Sequence, residues 1–130
     1  MVSHEPRDIV LVVDDSPNTL RMLTDAIEGA GMTVLVALDG EQALSLIERI
    51  TPDVILMDAV MPGLDGFEIC RRMKRNSALS HVPIIFMTGD VSDEVRKRAQ
   101  EITRMVFLEK PFPLESTLNE FIPKFLRGEM

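Results

Sequence analysis

One cysteine, Cys70, is all that a chain of 130 residues contains. No internal disulfide can therefore form, and no Cys/His spacing offers a zinc site. Basic residues are in the minority: 14 Lys and Arg stand against 21 Asp and Glu, a formal charge of -7. An acidic domain attracts neither DNA nor an anionic membrane unless it carries a local basic patch. Long hydrophobic runs are missing too. No apolar stretch is long enough to span a bilayer, and residues 1–8 lack the apolar core of a signal peptide. Neither a Gly-x-Gly-x-x-Gly loop nor a Walker A motif occurs, which counts against a nucleotide-binding domain. The expectation is a soluble, cytoplasmic protein with no direct nucleic-acid or membrane partner. The length sets a further expectation, of one ordinary domain rather than a multidomain enzyme.

What is present is enough for a core: 45% of the residues are apolar and 27% are charged. Five short apolar runs punctuate the chain, at Ile9–Val13, Thr33–Ala37, 54–57, 84–87 and 105–108. Continuous apolarity over four or five residues is what a strand buried on both faces needs. Segments with helical spacing lie between them. Ser16-Pro17 supplies an N-cap and a first-turn proline, Leu20, Leu23 and Ile27 share a face, and Gly31 ends the helix. Asp39 and Gln42 resemble a capping box before Ala43, Leu44 and Ile47. A third helix is expected over Gly66–Lys74 and a fourth over residues 92–101. The last should start near Pro113 with Leu114, Leu118, Phe121, Ile122 and Phe125 on its apolar side, and Pro123 should kink or end it. Five βα repeats with short linkers argue for a parallel sheet flanked by helices, because parallel strands need crossover connections.

In an open α/β sheet, ligands bind beyond the carboxyl ends of the strands. Those ends read Asp14-Asp15, Asp58, Thr88 and Lys110-Pro111. Three carboxylates, a hydroxyl and an ammonium would share one edge. Singly each has a plain structural reading: an Asp pair caps a helix, Asp58 starts a turn, Thr88-Gly89 leaves a strand, and Lys110 snorkels. Their coincidence at successive strand ends points to chemistry. Clustered carboxylates repel one another, and a hard divalent cation such as Mg2+ relieves that repulsion with oxygen ligands. A carboxylate beside a metal and a lysine can act as a nucleophile on phosphorus, forming an aspartyl phosphate.

The segments Val12-Val13-Asp14-Asp15 and Leu56-Met57-Asp58-Ala59-Val60-Met61-Pro62-Gly63-Leu64-Asp65-Gly66 carry a resemblance. With Thr88-Gly89 and Leu108-Glu109-Lys110-Pro111-Phe112, they resemble the receiver domain of two-component response regulators, the CheY-like family. The likeness covers residues 7–126, leaving 1–6 and 127–130 as terminal extensions. It implies a (βα)5 flavodoxin-like three-layer sandwich with a five-stranded parallel sheet in the order 2-1-3-4-5. It further implies that Asp58 is the phosphoryl acceptor. Asp14, Asp15, Asp58 and the backbone carbonyl of Val60 would hold Mg2+. Thr88 and Lys110 would contact the phosphoryl group, and Thr88 with the aromatic Phe107 would form the switch.

The implied donor is a phosphohistidine on a histidine kinase or histidine phosphotransfer protein. The implied output is a downstream protein bound at the face of the fourth helix, fifth strand and fifth helix, and a homodimer formed on phosphorylation is compatible with it. Such a domain catalyses only its own phosphotransfer and dephosphorylation. The alternative is a receiver-fold interaction module acting without phosphorylation, against which Asp14, Asp15, Asp58, Thr88 and Lys110 all stand intact. An aspartyl-nucleophile phosphatase would need a capping domain for which this chain has no spare length.

Three features depart from the family pattern or add to it. Thr103-Arg104-Met105-Val106 replaces a Gly-Ala-acid-acid stretch, which reads first as a tolerated loop variation and second as an altered turn before the fifth strand. Two basic clusters, Arg71, Arg72, Lys74 and Arg75, and Arg96, Lys97 and Arg98, read as solvated helix faces, the second also as a docking candidate. Finally, Val60 and Asp90 flank the expected path of the attacking water; an apolar Val60 cannot orient it, although the Asp90 carboxylate could. Spontaneous dephosphorylation should therefore be slow. Decay of the purified adduct tests this: a lifetime of seconds that Val60→Asn does not shorten would count against it.

Overall fold

The computed structural model describes residues 8–58, 66–76, 79–88, 97 and 105–109. Five strands form one parallel sheet: β1 (Ile9–Val13), β2 (Thr33–Ala37), β3 (Val54–Asp58), β4 (Ile84–Thr88) and β5 (Met105–Glu109). Their order is β2-β1-β3-β4-β5, the arrangement the family resemblance implies. Among the described residues three helices lie between them: α1 (Pro17–Gly29), α2 (Gly40–Ile47) and α3 (Gly66–Lys74). The expected fourth helix lies outside the described residues except for Lys97, which is helical and exposed. The expected last helix, with the kink or ending expected at Pro123, and the stretch Thr103-Arg104 also lie outside them. Among the described residues no helix is long and apolar enough to cross a membrane.

Continuous apolarity correctly marks the central strands. Val10 to Val13 and Val54 to Met57 are at most 1% exposed, so both faces of β1 and β3 are covered. The β2 run behaves differently. Thr33 is exposed, Val34 and Leu35 are partly buried, and Val36 is 46% exposed. The reason is position: β2 is an edge strand paired only to β1, and short edge strands carry less cover.

Two apolar layers sandwich the sheet. On one face α1 lays Leu20, Leu23 and Ile27 over Val10, Val12, Val54, Leu56, Ile85 and Met87. These are the three α1 residues that helical spacing puts on one side, and full burial of each such side chain contributes about 1.5–3 kcal/mol. On the other face α2 and α3 contribute Ala43, Ile47, Phe67, Ile69, Cys70 and Met73 over Leu11, Val13, Ile55, Met57 and Phe86. Phe67 and Phe86 stack at a centroid distance of 4.8 Å with planes tilted by 38°. The exposed side of α3 carries Arg71 and Arg72, both paired with Glu68 at 3.4 and 3.5 Å. This is the solvated face that its composition suggests, and such pairs contribute little to stability.

The helix signals act as read. Ser16 caps α1 through its hydroxyl, which accepts from the Thr19 N–H at 3.4 Å, and Pro17 follows. Gly31, at φ +90°, turns the chain out of α1 in a conformation that favours glycine. Asp39 caps α2 by accepting from the Gln42 N–H at 2.8 Å. The return bond differs from a standard capping box: the Gln42 amide oxygen accepts from the N–H of Leu38 at 3.0 Å, one residue before the cap. At the opposite sheet edge the Asp53 carboxylate accepts from the Ile9 N–H at 2.7 Å, tying the start of β1 to the entry of β3. Replacing Asp39 by Ala should lower stability by about 1 kcal/mol while Asp39→Asn keeps most of the cap, as read from urea unfolding midpoints.

Candidate functional site

Parallel register delivers the carboxylates to one place. Val13 of β1 pairs with Met57 of β3, so Asp14 and Asp58, each one residue further on, stand level on adjacent strands. Asp15 extends the same corner. One carboxylate oxygen from each of Asp14, Asp15 and Asp58 lies within 4.8 Å of the others.

The three are not equivalent. Asp14 is 1% exposed, Asp58 is partly buried at the end of β3, and Asp15 is exposed. Asp14 is also held on both sides. Its Oδ1 accepts from the Ser16 N–H at 2.9 Å, and its own N–H donates to the Ala37 carbonyl at 3.1 Å. The first bond uses the turn that launches α1, and the second uses the end of β2. Sequence reasoning treats Asp14 and Asp15 as a matched pair; what separates them is the hold of the β2 end and the α1 turn on Asp14.

Three ionised carboxylates this close repel by about 3 kcal/mol per pair at an effective dielectric of about 20, and less where Asp15 meets solvent. The donor set is entirely oxygen, which fits a hard cation such as Mg2+ and disfavours zinc or copper. Such a cation relieves the repulsion and can also hold a phosphoryl oxygen.

The remaining expected site residues are placed to differing extents. Met87 pairs with Asp58, so Thr88 ends β4 one residue beyond the level of Asp58. Thr88 in turn pairs with Glu109, the last residue of β5, and the next position in the chain is Lys110. Phe107 occupies the β5 position opposite Phe86. Val60, Asp90 and Lys110 lie outside the described residues. The structure thus brings Asp14, Asp15 and Asp58 together as side chains, and sets the backbone of Thr88 at the same sheet edge.

Comparison with known proteins agrees with this geometry. Residues 10–121 match the family described as the response regulator receiver domain. Protein PilH of Pseudomonas aeruginosa is 35% identical over 119 residues, covering 92% of this chain and 98% of PilH. The response regulator PleD of Caulobacter vibrioides is 36% identical over 102 residues, or 78% of this chain, but the chain spans only 22% of PleD. Among solved structures, the chemotaxis response regulator CheY4 of Vibrio cholerae superimposes with a TM-score of 0.83 at 31% identity, covering 92% of this chain and 98% of CheY4. The shared fold, the five-strand order and the acidic corner at the ends of β1 and β3 place this chain in the response regulator receiver domain family.

Proposed function

We propose that the chain is a phosphorylation-dependent switch of a two-component system, accepting a phosphoryl group from phosphohistidine onto Asp58. The observation that supports this best is the convergence of Asp14, Asp15 and Asp58 within 4.8 Å at the ends of two adjacent strands. A partly buried Asp58 at the last position of a fully covered strand is both anchored and reachable. One of its carboxylate oxygens attacks phosphorus and forms the O–P bond as the P–N bond to the donor imidazole breaks. The electron pair of that bond leaves with the imidazole nitrogen.

Asp14, Asp15, Asp58 and the carbonyl of Val60 would hold Mg2+, whose charge offsets carboxylate repulsion and the negative charge on the phosphoryl oxygens. Asp14, fixed by Ser16 and Ala37, gives the site its rigid wall. Thr88 donates its hydroxyl to a phosphoryl oxygen and Lys110 pairs with the phosphate. Drawing Thr88 inward frees space for Phe107, which changes the face of the fourth helix, fifth strand and fifth helix. The donor is a histidine kinase or histidine phosphotransfer protein, and a downstream protein reads that face in the cytoplasm. A full reversal between strongly biased states needs about 5.5 kcal/mol of differential stabilisation. Beyond its own phosphorylation and dephosphorylation the domain turns over no substrate.

Intact mass after incubation with acetyl phosphate and Mg2+ tests the reading. A single phosphoryl adduct should form, require Mg2+ and vanish in Asp58→Asn. Absence of both the adduct and beryllofluoride binding would favour an interaction module that works without phosphorylation. Calorimetric titration supplies a separate check: Asp14→Asn should weaken Mg2+ binding by about ten-fold or more, because a fixed negative charge leaves the site.

A further inference from the structure

Gly66 opens α3 directly against the end of β3. A Cβ at this position would stand 2.9 Å from the backbone oxygen of Asp58, 2.9 Å from the Met57 sulfur and 2.9 Å from Cε1 of Phe86. Ordinary carbon contacts lie at about 3.5–4.0 Å, so a methyl group does not fit. The requirement is one of space. Gly31 has the positive φ that favours glycine, whereas Gly66 does not, and a Cβ at Gly29 would meet nothing within 4 Å.

We propose that Gly66 is a positioning residue for phosphotransfer: its bare Cα lets α3 seat against the Asp58 peptide and holds the acceptor level with Asp14. This rests on the reading of Asp58 as the phosphoacceptor. The three atoms around Gly66 differ in how far they can yield. The Met57 thioether is flexible. The Phe86 ring is fully buried and stacked on Phe67, so it is held in place. The Asp58 oxygen belongs to the backbone and moves only with its peptide. Asp14 cannot follow such a movement, since Ser16 and Ala37 hold it. An added methyl group therefore displaces Asp58 relative to Asp14, which disturbs the spacing of the carboxylates as well as stability.

The test compares Gly66→Ala with wild type, with Gly29→Ala, where the new methyl has open space, and with Ile27→Ala, a core truncation near the opposite sheet edge. A further variant, Gly66→Ala/Met57→Val, removes the sulfur and keeps the clash with the Asp58 carbonyl. It serves if Gly66→Ala alone does not fold. Each is measured for urea midpoint, for Mg2+ affinity by calorimetry and for the rate of adduct formation from acetyl phosphate at saturating Mg2+. The Gly66 variants, folded, should form the adduct at least about ten-fold more slowly and bind Mg2+ more weakly, since small misplacements of reacting groups carry large rate penalties. Gly29→Ala and Ile27→Ala should keep the rate within about two-fold, as neither touches the site. Wild-type rate and Mg2+ affinity in folded Gly66→Ala would overturn the proposal, as would losses that simply track the urea midpoint across all variants. A wild type that binds Mg2+ but neither forms the adduct nor binds beryllofluoride would end the phosphotransfer reading, and with it the role of Gly66 in phosphotransfer. A wild type that in addition binds no Mg2+ would overturn both as well.

Discussion

Three negative charges meet at the ends of two neighbouring parallel strands, and much of the structure can be understood as holding them there. Left to themselves, Asp14, Asp15 and Asp58 would move apart, since like charges within 4.8 Å are unfavourable wherever solvent screening is incomplete. The chain counters this with strands that have no freedom to separate. β1 and β3 are covered on both faces, so sliding or fraying either one would expose a continuous row of apolar side chains. Apolar burial far from the site thus keeps an electrostatically unfavourable cluster together.

Around that cluster the local structure is unequal in a useful way. Asp14 is buried and bonded through its carboxylate and its N–H. Asp15 faces solvent, and Asp58 lies between these extremes. A site with one fixed carboxylate, one solvated one and one partly accessible one presents a rigid wall, a hydrated side and a third oxygen donor between them. The capping turn of α1 contributes directly, because the Ser16 N–H that bonds Asp14 belongs to the residue that caps the helix. Helix initiation and site geometry share the same few atoms.

One residue below the site, a row of residues crosses the whole sheet. Ala37, Val13, Met57, Phe86 and Phe107 are successive register partners from β2 through to β5. Ala37 holds the Asp14 N–H, Met57 precedes Asp58, and Phe86 is stacked by Phe67 of α3. From Ala37 to Phe86 this row is part of one buried apolar layer, and its last register step leads to the backbone position of Phe107. Close packing of this kind favours discrete rearrangement over gradual deformation.

Local chemistry was legible in the sequence. Ser16-Pro17, Gly31 and Asp39 acted where a short-range reading put them, because a cap or a turn depends only on residues a few positions away. The five strands and Gly66–Lys74 followed from apolar runs and helical spacing, and the strand ends named the acidic residues. Contacts between segments distant in sequence were another matter. That β2 would be an exposed edge depends on strand order, and the Asp53 bond to Ile9 joins residues 44 positions apart. The difference between Asp14 and Asp15 needed the neighbouring strand and the turn into α1 in place. The close approach of Gly66 to Asp58, Met57 and Phe86 needed two strands and a helix assembled at once. Which residues are candidates for the chemistry, and where the described strands and helices begin, follows from short stretches of sequence. How close those residues come, and which of them have no room to move, is set by the assembled fold, because distance and packing belong to pairs of segments and not to either one alone.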